Sequence, residues 1–280
     1  MESSGIISLF IIVATCLVSY KGFKDKLFYD RYTFRVDNIL LYKDYKRIVT
    51  AGFLHVNWMH LIFNMLAFYF FSTGLESSIG GLNFLIIYFA GLIGGNLLTL
   101  LLHKDDGGYS SVGASGAIAG VIFTTIALVP GMKIGLLFLP ISIPAWLFGL
   151  LYTLYSIYGI RSNKDNIGHD THLGGALVGM AVGLIMYPSA LVTNYVTILI
   201  ISLPAIIFIV LIIKKPSVLL IDNLFYTRKK RLNVEDRYNL KRRAKEQEID
   251  DILEKIHKKG MSSLTRKERM MLKEFSKQSQ

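Results

Sequence analysis

Gly113-Ala114-Ser115-Gly116 stands at the mouth of one apolar run, and His172-Leu173-Gly174-Gly175 lies in another. A third run carries His60-x-x-x-Asn64. Polar side chains at membrane depth are costly, so they are functional suspects first. A serine hydroxyl is a weak nucleophile until a neighbouring base takes its proton. Histidine is the usual base, because it titrates near neutrality. Acyl transfer also needs hydrogen-bond donors for the developing oxyanion. A nucleophile, a base and an oxyanion clamp at membrane depth together point to a serine protease that cuts inside the bilayer.

The rest of the chain supports the membrane setting. Of its 280 residues, 52% are hydrophobic, and the charges fall in clusters. The gaps between clusters reach the roughly 20 apolar residues that a spanning helix needs. Spans are predicted near 4–20, 55–75, 81–102, 114–130, 134–158, 171–188 and 194–213, with Pro204 interrupting the last. The fold class is therefore an all-α membrane protein. The first apolar run follows Glu2 and no cleavage-site pattern ends it, so it is read as a retained helix. Cys16 is the only cysteine, which excludes a disulfide within the chain.

The net charge of +11 is uneven. From Lys214 onward there are 19 Lys/Arg and 10 Asp/Glu, whereas residues 1–213 hold 12 and 10. A basic tail beside a membrane meets anionic lipid headgroups sooner than nucleic acid, and no nucleic-acid partner is expected. A solvated tail with no specific partner is the plainer alternative. Within it, Glu235 to His257 reads as a helix with Ile249, Ile252, Leu253 and Ile256 on one stripe, and Gly260 suits a stop. Thr265-x-x-Glu268 matches a capping box opening a short helix to about Ser276. Residues 21–50 mix charges with Phe23, Phe28, Tyr29, Tyr32 and Phe34, which suits the headgroup level.

Glycine spacing predicts how the site is assembled. Gly175-x-x-x-Gly179-x-x-x-Gly183 lines one face of the sixth span, and Gly116 and Gly120 line the fourth. Such faces let two backbones approach closely, bringing Ser115 towards His172. Asp170 lies two residues from His172, and residues two apart on a helix do not share a face. A Ser115–His172 dyad without an acid is therefore expected. His60 and Asn64, four apart, share a face, and the N–H of Ser115 near a helix start is a further donor. The competing readings are plain: Ser115 as packing glue, and His60 with Asn64 as ties between spans. His55 reads as a structural hydrogen-bonding group and His103 as a solvated loop residue. Neither His55 with His60 nor His169 with His172 has a cysteine or carboxylate at zinc-site spacing. No metal and no cofactor are expected.

With these residues assembled, the chain resembles the rhomboid intramembrane serine proteases over roughly 45–190. Arg47, His55, His60 and Asn64 follow that family's order, as do Gly113-Ala114-Ser115-Gly116, His172-Leu173-Gly174-Gly175 and Glu76 after the second span. The resemblance implies Ser115 as nucleophile, His172 as base, and His60, Asn64 and the Ser115 N–H as oxyanion hole. It implies structural roles for Arg47 and Glu76. It implies a rhomboid-like six-helix membrane core, taken as 1–190, with 191–213 a seventh transmembrane helix, and charge and patterning make 214–280 a basic, partly helical tail. Substrates would be other transmembrane proteins, cut near the extracytoplasmic face of a plasma membrane. In some members an aromatic one turn after the serine stacks on the catalytic histidine. That position is Ala119 here, so Phe123 or Tyr152 is expected to brace His172. The family's frequent Trp before the loop arginine is Lys46 here.

The family orientation places the N-terminus inside, and seven spans then put the basic tail outside. The positive-inside rule draws the same tail to the cytoplasm. Two rivals to the protease stand beside it. One is a catalytically inactive rhomboid-like protein that binds membrane helices, which would be expected to lose Ser115 or His172. The other is a transporter or channel, which would be expected to show internal repeats or buried charge pairs.

Overall fold

The structure, a computed structural model, describes residues 5–135, 142–162 and 167–214, with separate positions between 252 and 272. Among the described residues, seven long helices form the bundle: α1 (Ile6–Lys24), α5 (Trp58–Ile79), α6 (Gly81–Leu102), α7 (Ser115–Leu128), α8 (Ala145–Ser162), α9 (His169–Met186) and α11 (Tyr195–Lys214). Between α1 and α5 lie α2 (Lys26–Tyr32), strand β1 (Phe34–Arg35), α3 (Val36–Leu40), α4 (Arg47–Thr50) and a 3₁₀ turn, Ala51–Phe53. β2 (Ser110–Ser111) precedes α7, the hairpin β3 (Lys133–Gly135) and β4 (Ser142–Pro144) precedes α8, and α10 (Ser189–Thr193) precedes α11. By length and composition α1, α5, α6 and α11 are each able to cross a membrane.

α1 turns mostly small and polar residues inward and large apolar ones outward. On α1, Ser8, Ile11, Thr15, Ser19 and Gly22 are buried, three or four residues apart, whereas Leu9, Phe10, Val13 and Leu17 are exposed. Lipid offers no hydrophobic reason to hide a leucine, so close packing and hydrogen bonds decide which face turns in. α7 is enclosed on every side, with each residue from Gly116 to Ala127 buried. Around it sit Phe84, Tyr88, Leu92, Met180 and Ile201. Its 14 residues rise only about 21 Å at ~1.5 Å per residue, against ~30 Å of hydrocarbon. One end of α7 must therefore stop short of a membrane surface.

Hydrogen bonds fix which ends share a side. The Glu76 carboxylate, at the end of α5, accepts from the N–H groups of Ile7 and Ser8 at 3.0 and 2.8 Å, and from the Ser8 hydroxyl at 2.5 Å. It caps α1, so the start of α1 and the end of α5 lie together. Gly80 (φ 81°) then turns α5 directly into α6, a left-handed conformation that favours glycine. Alternation places the end of α6, the starts of α7 and α9 and the end of α11 on the opposite side. There Leu98, Leu102, Leu173, Phe208 and Ile212 pack together.

Two boundaries differ from expectation. The fifth long helix begins at Ala145 instead of near 134, because β3 and β4 pair antiparallel with Ile134 opposite Ile143. A residue before proline is driven from helical geometry, and proline suits the entry to a helix, so Ile143-Pro144 sets the start. Pro204 does not interrupt α11, which continues to Lys214. The Thr153 hydroxyl of α8 donates to the Ile201 carbonyl at 3.1 Å, beside the Ile200 carbonyl that Pro204 leaves without its helical donor.

Thr227–Gln280 forms a separate compact unit. The expected capping box is present there. The Glu268 N–H donates to Thr265 Oγ1 at 3.3 Å, and the Thr265 N–H donates to Glu268 Oε2 at 2.6 Å. Lys255 also donates to Glu268, and with Thr265 it pulls the carboxyl down to about 2. Ile252 and Leu264 are buried against Ile256 and Leu272. Most of the expected helix from Glu235 to His257, with Ile249 and Leu253, lies outside the described residues, as do Gly260 and Ser276.

Candidate active site

Ser115 is the first residue of α7. The segment before it is held in three places. β1 and β2 pair antiparallel, Phe34 opposite Ser111. The Gly113 N–H donates to the Ala51 carbonyl at 3.0 Å. The Ala114 N–H points at His55 Nε2 at 3.5 Å. His55 itself is fully buried, and its Nδ1 lies 2.9 Å from the Ser19 hydroxyl, which donates to the Phe53 carbonyl at 2.8 Å. With the Ser19 proton used on Phe53, His55 must donate from Nδ1 and accept at Nε2. His55 thus ties α1 to the loop that presents Ser115.

His60 is the third residue of α5, which Asn57 caps by accepting from the His60 N–H at 2.9 Å. His60 Nδ1 accepts from the Val56 N–H, at a long 3.5 Å. That assigns the ring proton to Nε2. A Cβ built on Gly113 would lie 3.1 Å from His60 Nε2 and 3.7 Å from Ser115 Oγ. The imidazole donor and the hydroxyl thus border one small space, kept open by a glycine at φ 138°. Asn64, buried one turn below, donates from Nδ2 to the His60 carbonyl at 2.9 Å. An amide nitrogen carries a second hydrogen.

α7 and α9 meet glycine on glycine. A Cβ on Gly116 would fall 2.8 Å from Thr171 Cγ2, and one on Gly175 would fall 2.9 Å from Gly116 Cα. One turn on, a Cβ on Gly179 would lie 2.5 Å from Gly120 Cα. Ser115 precedes Gly116 and His172 follows Thr171, so each adjoins a residue of this contact. Of the two rings expected against His172, Tyr152 is the one that stacks, with centroids 5.9 Å apart and planes 29° apart. Phe123 meets the edge of Tyr152 at 5.7 Å instead.

Asp170 turns away from this pair. It lies 3.2 Å from His103 Nε2, and His103 stacks on Tyr109 with centroids 3.6 Å apart. His103 is therefore not the solvated loop residue expected: it links the start of α9 to the loop before Ser115. Nothing in the sequence marked Tyr109. Arg47 and Glu76 stand apart from Ser115. The Arg47 guanidinium is buried, donating to Asp44 Oδ2 at 2.8 Å and to the carbonyls of Asp30 and Thr33 at 2.9 and 2.6 Å. It gathers the turns between α1 and α5 around one cation.

The Rhomboid domain family matches residues 42–189, just over half of the chain, a stretch that includes His60, Asn64, Ser115 and His172. The chain belongs to the rhomboid family. A second match, to a family of unknown function, covers residues 232–278. Among curated rhomboids, RHOMBOID-like protein 12, mitochondrial, of Arabidopsis thaliana is 28% identical over 62% of this chain and 55% of its own length. Rhomboid protein 1, mitochondrial, of Saccharomyces cerevisiae is 33% identical over 52% of this chain and 44% of its own length. Rhomboid-like protein 11, chloroplastic, of Arabidopsis thaliana is 26% identical over 55% and 59%. The chain thus spans about half the length of these rhomboid relatives. It is a multi-pass, all-α rhomboid of the membrane.

Proposed function

We propose that this rhomboid is an intramembrane serine endopeptidase working through a Ser115–His172 dyad. What supports the proposal is the glycine contact of α7 and α9, where Gly116 after Ser115 meets Thr171 before His172. In this reading His172 takes the proton of Ser115 Oγ as that oxygen attacks a peptide carbonyl. The oxyanion accepts from His60 Nε2–H, from the second Asn64 amide hydrogen and from the Ser115 N–H, which has no acceptor within its own helix. His172 returns the proton to the leaving amine, and water then releases the acyl group. Arg47, His55 and Glu76 shape the scaffold. α7 is too short to span, and this reading takes its Ser115 end as the one below the surface, where irregular backbone is tolerated only against protein or a water-filled cavity. Transmembrane-protein substrates cut near the extracytoplasmic face fit that depth.

The same proposal takes 1–190 as the catalytic core, 191–213 as an appended span and 214–280 as a basic surface element for anionic headgroups. It keeps the plasma membrane as the location. Density-gradient fractionation of expressing cells checks this against organelles like those in the names of the plant and yeast relatives. A fluorophosphonate probe tests the chemistry: wild type should label and Ser115→Ala should not. A folded wild type that never labels leaves the inactive, helix-binding relative as the reading.

Two smaller effects follow from the geometry. Asn64→Ala is expected to slow turnover by on the order of 10²–10³ with little change in apparent substrate affinity, the usual loss for one oxyanion donor. Normal turnover with a lowered melting temperature would make Asn64 a tie within α5. Tyr152→Ala should lower turnover by roughly three- to tenfold, since a stacked ring contributes ~0.5–1.5 kcal/mol. Tyr152→Phe keeps the ring and should stay close to wild type. Equal losses in both variants would point to the hydroxyl instead.

A further inference from the structure

The corner between α1 and α2 carries two cations that no described carboxylate pairs with. Lys21, Asp25, Leu27, Phe28, Arg31 and Tyr32 line an open cavity of about 320 Å³. Lys21 Nζ sits 4.4 Å over the Phe28 ring, and the Arg31 guanidinium sits 5.9 Å over Tyr32. Among the described residues neither cation has a carboxylate within ion-pair distance. Asp25 is occupied at the other edge, where its Oδ1 accepts from the Phe28 N–H at 3.0 Å and caps α2. Asp30 is taken by Arg35 at 2.9 Å. Aromatic faces hold the two cations in place without quenching their charge.

Two further observations identify the anion that would suit them. Leu17 and Val13 lie one and two turns below Lys21 on the same face of α1, and both are exposed, as is Leu27 at 83% on the cavity's rim. An apolar stripe therefore leads directly into the cation pair. A free phosphate would use the cations alone, whereas an acyl chain would also cover the stripe. The height is right as well. Trp58 packs on Phe23 and Tyr20 with centroids 4.9 and 6.2 Å apart, at the same end of α1 as Lys21. Aromatic clusters with wet edges settle at the headgroup level of a bilayer.

We propose that this α1–α2 corner is a phospholipid site, taking the phosphate of an anionic headgroup between Lys21 and Arg31 and one acyl chain along Val13 and Leu17. It is separate from the dyad and does not depend on catalysis. The occupant would brace the end of α1, where the Ser19 hydroxyl holds the Phe53 carbonyl beside His55.

The test uses the purified full-length chain in a neutral detergent, with dioleoylphosphatidylglycerol titrated in and bound lipid counted by native mass spectrometry. Each cation near an anionic headgroup contributes about fivefold in affinity. Lys21→Gln/Arg31→Gln should therefore weaken the tightest lipid by on the order of 25-fold, while Lys133→Gln, on the exposed edge of β3, should leave it unchanged. Leu17→Asn, which keeps both cations, should weaken the lipid but not inorganic phosphate. Lipid binding unchanged in the cation variant overturns the site. Inorganic phosphate protecting the chain as well as the lipid does, at equal concentration, overturns the lipid assignment. Melting curves of each variant show that a loss of binding is not a loss of fold.

Discussion

Ser115→Ala and His172→Ala should each abolish cleavage of a transmembrane substrate, by on the order of 10⁴–10⁶ in turnover, with the melting temperature in detergent nearly unchanged. Residues that act as one catalytic unit are not additive, so Ser115→Ala/His172→Ala should be no slower than either single variant. Both side chains are partly exposed at helix starts and neither belongs to the buried core, so little packing is lost. Tyr152 in the histidine variant loses a stacked partner but remains against Phe123 and Phe148. Single-turnover cleavage by purified Ser115→Ala at more than a few per cent of the wild-type rate would sink the dyad. A double variant much slower than both singles would mean that the two residues act separately.

What was legible in the chain was local or periodic. The glycines four apart at Gly116, Gly120, Gly175 and Gly179 announce smooth helix faces, and those faces do meet. The capping box at Thr265 and Glu268 is a four-residue signal and was readable for the same reason. What escaped was set by distant partners. His103 sits beside Lys104, Asp105 and Asp106, which look like solvent, yet its partners are Tyr109 and Asp170, brought to it by the folding of α6 against α9. The choice between Phe123 and Tyr152 depended on the rotation of α8 relative to α9, which periodicity does not state. The start of α8 was missed because residues 134–143 are apolar enough to read as span, and only strand pairing separates them from the helix.

The second large effect concerns the contact on which the site depends. Gly175→Ala should destabilise the bundle by about 3 kcal/mol or more, beyond an ordinary overpacked core side chain at ~1–3 kcal/mol. A Cβ there would meet the carbonyl carbon of Gly116 at 2.7 Å and its Cα at 2.9 Å, with the carbonyl oxygen nearer still. These are backbone atoms of an enclosed helix. They have no rotamer to change, so α7 and α9 must separate or one must shift along the other. Either movement displaces His172 from Ser115. The variant should therefore lose fluorophosphonate labelling at temperatures where it is still folded, as well as melting earlier. Gly74→Ala is the control, because a Cβ on that exposed residue of α5 meets nothing within 4 Å. Removing a glycine from a helix interior should stabilise there by about 0.5–1 kcal/mol. The two substitutions are chemically identical, so a difference in their sign can come only from what each new methyl touches. If Gly175→Ala melts with wild type and labels normally, α7 and α9 have room to spare, and their glycines cannot be what holds Ser115 beside His172.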